Sequence, residues 1–93
     1  MMRYFSVVNN GKTLLIKNVS ERVLTLLAVT VKYGVTVDTV DGMGIRNIGD
    51  DLRINKTLGQ GETVEVPLKL PDPVLLVVIF KDGEVFRRED ISI

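Results

Sequence analysis

The sequence predicts an all-β domain, a seven-stranded antiparallel sandwich, on three observations. Apolar and polar residues alternate over short stretches. Gly, Asn, Asp and Pro separate those stretches at short intervals. Asp82-Gly83 joins the last two stretches and is the strongest hairpin signal in the chain. The clearest alternation is in residues 62–70, where Val64, Val66, Leu68 and Leu70 share one face and Thr63, Glu65, Pro67 and Lys69 the other. Pro67 has no N–H for a ladder bond, which confines this strand to a sheet edge or a bulge.

Arg3 to Val8 reads as the first strand. The polar turn Asn9-Asn10-Gly11-Lys12 leads into Thr13 to Val19, where Leu14 and Ile16 share a face, and the two strands are expected to pair. Val23 to Tyr33 is the most apolar long segment, with Val23, Leu27, Val29 and Val31 on one parity and Leu24, Leu26 and Ala28 on the other. A helix is the alternative here: Ser20 would be its N-cap, Glu21 suits the first turn, and Gly34 stands at the C-cap. The β-branched Val23, Thr25, Val29, Thr30 and Val31 favour a central strand, as do apolar residues that would surround a helix on every side. Val35 to Val40 follows as a shorter strand.

Residues 41–51 carry three glycines and no usable period, so they read as the largest loop or an irregular edge. Leu52 to Lys56 is a short strand, and Gly59-Gln60-Gly61 turns the chain into 62–70. Pro71-Asp72-Pro73 breaks that strand, because each proline fixes φ and biases the residue before it toward extended backbone. Val74 to Lys81 and Glu84 to Ile93 close the fold around Asp82-Gly83, which suits a type I′ turn with positive φ at both central positions. The expected core is Phe5, Val7, Leu14, Ile16, Leu27, Val29, Val31, Val64, Val66, Leu68, Val77 and Ile79.

Composition narrows the chemistry. Ninety-three residues fit one domain, 1–93, which buries a modest core without metal or disulfide and is stable by about 5–10 kcal/mol. Lys plus Arg and Asp plus Glu number 12 each, so no net field steers the chain toward nucleic acid or an anionic membrane. With no Cys, disulfides and thiolate chemistry are excluded, and with no His, so are Ser-His catalysis and imidazole metal sites. Aromatics are only 5% of the chain, a poor provision for stacking on sugars or bases. The N-terminus lacks an apolar stretch long enough for a signal sequence. The longest apolar run, Val74 to Phe80, is far short of the roughly 20 residues of a membrane helix. The expectation is a chain in the cytoplasm as it stands, or at the cell surface if cut from a longer precursor.

The stretches Leu14 to Ser20 and Leu58 to Val66, together with the closing hairpin at Asp82-Gly83, resemble immunoglobulin-like β-sandwiches of prokaryotic surface and adhesion proteins. The middle stretch carries the shared layout, a glycine turn with a carboxylate opening an alternating strand. The resemblance covers nearly the whole chain and implies an immunoglobulin-like sandwich, a fold that hosts many unrelated roles. Unlike antibody domains, the chain lacks both core cysteines and the tryptophan that packs on them. Leu52 to Val66 also resembles swapped-hairpin transcription factors of the antitoxin type, which implies a small DNA-binding regulator. The Arg-Ile-x-Ile-Pro element of that family is absent, and the neutral charge argues against DNA.

Asp38, Asp41, Asp50 and Asp51 cluster around the glycine-rich stretch and are the candidate metal ligands, since hard cations such as Ca²⁺ want about six to eight oxygens. Their spacing is not that of an EF-hand, and a solvated loop, acidic for turn formation, is the favoured account of them. Asp72 and Asp82 read as turn residues. Gly42, Gly44 and Gly49 lack the Gly-Lys-Ser/Thr of a phosphate loop. Arg87 and Arg88 are consecutive in a strand and point to opposite faces, so they do not converge on one anion. Asn18-Val-Ser20 and Asn55-Lys-Thr57 match the N-glycosylation pattern. No catalytic residue and no cofactor is expected. The chain reads as a non-catalytic interaction or assembly module that uses sheet edges and pairs with a protein partner or with itself as a homo-oligomer. Nucleic acid and membrane insertion are not expected, and loop-based binding of a divalent cation or small ligand is the alternative. The edges expected to take part are the first strand, 62–70 and 84–93.

Overall fold

The computed structural model describes the backbone of residues 3–39 and 42–93 and the side chains of 3–34 and 48–93. Its elements are β1 (Phe5–Asn9), β2 (Thr13–Asn18), β3 (Leu24–Thr39), β4 (Gly42–Leu58), β5 (Thr63–Pro67), β6 (Pro73–Asp82) and β7 (Val85–Ser92). They form two antiparallel sheets, ordered β1-β2-β5 and β4-β3-β6-β7. Among the described residues there is no helix. The two sheets share one apolar core, to which the first gives Phe5, Leu14, Ile16 and Val66. The second gives Leu24, Leu26, Val29, Val31, Tyr33, Leu58, Leu76, Val78, Phe80 and Ile91.

Side-chain alternation explains most of this core, and a bulge explains why Leu27 is not in it. Leu26 pairs with Phe80 and Ala28 with Ile79, so Leu27 is an extra residue of β3 against β6; on the other side Leu26 pairs with Lys56 and Ala28 with Arg53, so Ile54 and Asn55 of β4 stand opposite Leu27 alone. An extra residue reverses the parity of everything beyond it. Leu24 and Leu26 therefore face the core together with Val29, Val31 and Tyr33, and Leu27 is only half-buried. On β4 the same bulge places Asn55 in the left-handed region at φ 52°, which Asn tolerates better than most residues. In β6 the core side is Leu76, Val78 and Phe80, so the expected Val77 and Ile79 face outward; Val77 is still buried, between neighbouring strands. Val7, Val64 and Leu68 pack against the core only in part.

The segments on either side of Gly34 are a single strand of 16 residues, and the helix alternative does not occur. Residues 42–51, expected as a loop or irregular edge, belong to the 17-residue β4. Gly42, Gly44 and Gly49 stand in register with Thr39, Val37 and Lys32. Ladder hydrogen bonds to β3 hold this segment, so it needs no apolar period. Neighbouring β6 reaches only as far as Tyr33. Beyond it, Gly34–Thr39 and Gly42–Asn47 continue as a two-stranded ribbon, in keeping with an outline of 50 × 26 × 25 Å.

The closing hairpin turns one residue later than expected. Asp82 pairs with Val85, leaving Gly83 and Glu84 as the central pair, and only Gly83 has positive φ, at 62°. That is the requirement of a type II′ turn, not type I′. Asp82 is thereby a strand residue, 7% exposed.

Candidate interaction edges

Two sheets leave four edges: β1 and β5 on the first, β4 and β7 on the second. The three edges named from sequence are therefore edges, and β4 is the fourth. Each has a different chemistry.

β5 is short and ends at Pro67, opposite Thr13. The missing N–H costs nothing on an edge and blocks one docking position there. β1 has five residues, and its approach is tied to the other sheet: the Tyr4 N–H donates to Glu89 Oε2 at 2.9 Å. β7 carries four successive charges, Arg87 to Asp90, which are engaged within the chain. The Arg87 guanidinium lies 5.8 Å from the Tyr4 ring centroid and 3.7 Å from Asp82. Arg22 donates to Asp82 Oδ1 at 2.7 Å, so two guanidinium groups neutralise the buried Asp82 carboxylate. Arg88 forms a two-point pair with Asp90 on the outward face. Hydrogen bonds from Arg88 hold the Asp90 carboxyl below its ordinary pKa, and the same pairing raises that of Arg88. A strand docking along β7 would have to desolvate these paired groups or part them from their partners.

β4 differs. From Gly42 to Arg53 it pairs with β3 in one unbroken register, with neither Pro nor Lys in the run. Ile48 is 39% exposed. An open groove of about 330 Å³, lined in part by Ala28, Thr30, Leu52 and Arg53, lies beside the strand. This is the longest edge, and its run carries Arg46, Asp50, Asp51 and Arg53.

The candidate metal ligands do not converge among the described residues. Asp50 and Asp51 are consecutive in β4 and point to opposite faces. Asp50 faces Lys69 Nζ at 3.5 Å, and Asp51 accepts a hydrogen bond from the Thr30 hydroxyl. Asp38 lies in β3 in register with Met43, with its side chain outside the described set. Asp41 lies outside the described residues altogether. Among those described, no three His, Cys, Asp or Glu side chains are grouped as a metal site.

The two glycosylation patterns separate cleanly. Asn18 is fully buried, and its amide nitrogen donates to Arg22 O at 2.8 Å and Leu58 O at 2.9 Å. Its Oδ1 accepts from the Ser20 N–H and hydroxyl. Asn18 thus fastens the crossing from β2 to β3 to the end of β4, and Ser20 serves that structure. Asn55 is exposed in the β4 bulge. Neither the Asn18 hub nor the Asp82 cluster was found from sequence. Arg22 and Asp82 lie 60 positions apart and carry no mutual signal in a single chain. The spacing Asn18-x-Ser20 matches a local side-chain-to-backbone turn, the one signal available for that hub.

Fold and edges together define a small all-β domain of two antiparallel sheets. Comparison with protein-family models, with curated proteins and with solved structures finds no match. Among the described residues no helix is long and apolar enough to cross a membrane.

Proposed function

We propose that this chain is a non-catalytic interaction or assembly module that works by strand addition at a sheet edge, on an immunoglobulin-like frame. The strand order supports the frame: strands one, two and five oppose four, three, six and seven. Relative to constant-type immunoglobulin domains, the fourth strand has moved beside the third, where variable-type domains place an added strand. The observation that carries the function is the contrast among edges. β1 and β5 have five residues each, β5 ends in Pro67 and β7 has eight, whereas β4 offers 12 residues of unbroken ladder. A strand added there gains main-chain hydrogen bonds along its whole length. The partner is a protein, another copy included. A chain without His or Cys and with zero net charge suits that role better than catalysis or nucleic-acid binding.

Sedimentation velocity from micromolar to millimolar protein, with a pull-down beside it, tests this reading. The expected result is association that Ile48→Lys abolishes and Phe86→Lys, on β7, leaves intact, because a lysine on an edge guards it. A chain that neither self-associates nor captures a protein removes the reading.

A further inference from the structure

We propose that the β4 edge takes a second copy of this chain, joined antiparallel about a two-fold axis at Ile48; the proposal rests on the edge-assembly reading. In a symmetric antiparallel pair the axis stands perpendicular to the sheet and preserves which face each residue occupies, so one residue lies opposite its own copy. The unbroken run Gly42 to Arg53 overlaps itself most completely with the axis at Asn47 or at Ile48. With the axis at Asn47, Asp50 and Asp51 fall opposite Gly44 and Met43, and no opposite charges meet within the run Gly42 to Arg53. With the axis at Ile48, Arg46 falls opposite Asp50 of the second copy, twice by symmetry, and Ile45 and Met43 fall opposite Asp51 and Arg53. An axis at Arg46, Asp50 or Asp51 sets like charges directly against each other, which is destabilising.

Charge therefore selects the Ile48 register, and exposure agrees with it. Ile48, 39% exposed, meets its own copy at the centre. Asp50, the residue opposite position 46 in this register, faces Lys69 Nζ at 3.5 Å within its own chain. The product is one continuous sheet in the order β7-β6-β3-β4-β4-β3-β6-β7, in which both β4 edges are covered. An isologous contact of this kind closes on itself instead of growing through the same edge.

The absence of cysteine makes the axis directly testable. Residues directly opposite in an antiparallel pair have Cα atoms about 4.5–5.5 Å apart, within the roughly 4.4–6.8 Å range of a disulfide. Oxidised Ile48→Cys is expected to run as a covalent dimer, while Thr63→Cys on β5 and Phe86→Cys on β7 stay largely monomeric. Arg46→Glu and Asp50→Arg are each expected to weaken self-association about tenfold, and the two together to restore it. Cross-linking of Ile48→Cys no faster than that of Phe86→Cys, or no rescue in the double variant, overturns the proposal. A dimer that cross-links through Thr63→Cys or Phe86→Cys instead overturns the register and the β4 edge but leaves edge assembly standing. So does a monomer that captures a different protein. A monomer that captures nothing overturns both.

Discussion

β7 and β4 flank the same two central strands, β3 and β6, and treat their free edges in opposite ways. β7 spends its charges inside the molecule. Arg87 serves Asp82 and the Tyr4 ring, Glu89 binds the Tyr4 N–H, and Arg88 pairs with Asp90. These contacts tie the second sheet to the start of the first, so the edge is also a seam between layers. Behind the seam, Phe80 stacks against Tyr4 at 5.0 Å and against Phe5 at 4.9 Å between ring centroids. Over Gly42–Asn47, β4 has β3 as its partner strand, beyond the reach of β6. The comparison teaches that an edge is closed by what its side chains are bound to, not by how polar they are: both strands carry charges of both signs.

Truncating an apolar anchor on each side sharpens the contrast most. Phe80→Ala, beneath the β7 seam, is expected to cost about 3–5 kcal/mol in urea denaturation, the range for a large aromatic removed from a core. Leu52→Ala on half-buried β4 should cost about 1 kcal/mol, since less area leaves the interior. Equal losses would show that the two edges are equally integrated. Next comes the seam itself. Glu89→Ala removes the acceptor of the Tyr4 N–H and should cost about 1 kcal/mol, with faster amide exchange at Tyr4 as the local signature. Ile48→Lys, which abolishes association in the proposal above, is expected to change monomer stability by no more than about 0.5 kcal/mol. A large loss there would mean that β4 is a structural edge and not a docking one.

The smallest effect belongs to the surface pair Arg88–Asp90. The Asp90 carboxyl is held below its ordinary pKa by the Arg88 hydrogen bonds. Its stabilising contribution is therefore present above the unfolded-state pKa and lost as the pH falls through the folded one. Asp90→Asn should lower the melting temperature barely at neutral pH, and that difference from the parent should vanish in acid. A difference that grows in acid would contradict the assignment.

Much of the fold was legible in the residues, and the misses have specific causes. Pro67 marked its strand as an edge, and the topology agrees, because a residue without an N–H is excluded from a central ladder wherever the strand lies. Residues 42–51 were illegible as a strand because glycines and charges erase the period, while the ladder to β3 does not depend on side chains. Asp-Gly is a turn dipeptide and points to Asp82 as a turn residue; in the structure Asp82 pairs with Val85, with two arginines at its carboxylate, and the turn falls one residue later. Of the candidate site residues, Asp50 and Asp51 lie in strand β4 and not in the expected loop, and strand alternation separates them.

By itself the sequence determined the strand class, the short-turn rhythm, the edge position of Pro67 and the exclusion of thiol and imidazole chemistry, since each follows from the residue's own covalent structure. Only the tertiary structure decided which face of β3 and β6 is buried, that Asn18 is a hub instead of an acceptor site, and which edge stays open. Those outcomes turn on one bulge at Leu27 and on partners 40 to 60 positions away, and such distant contacts leave no periodic trace in a single chain.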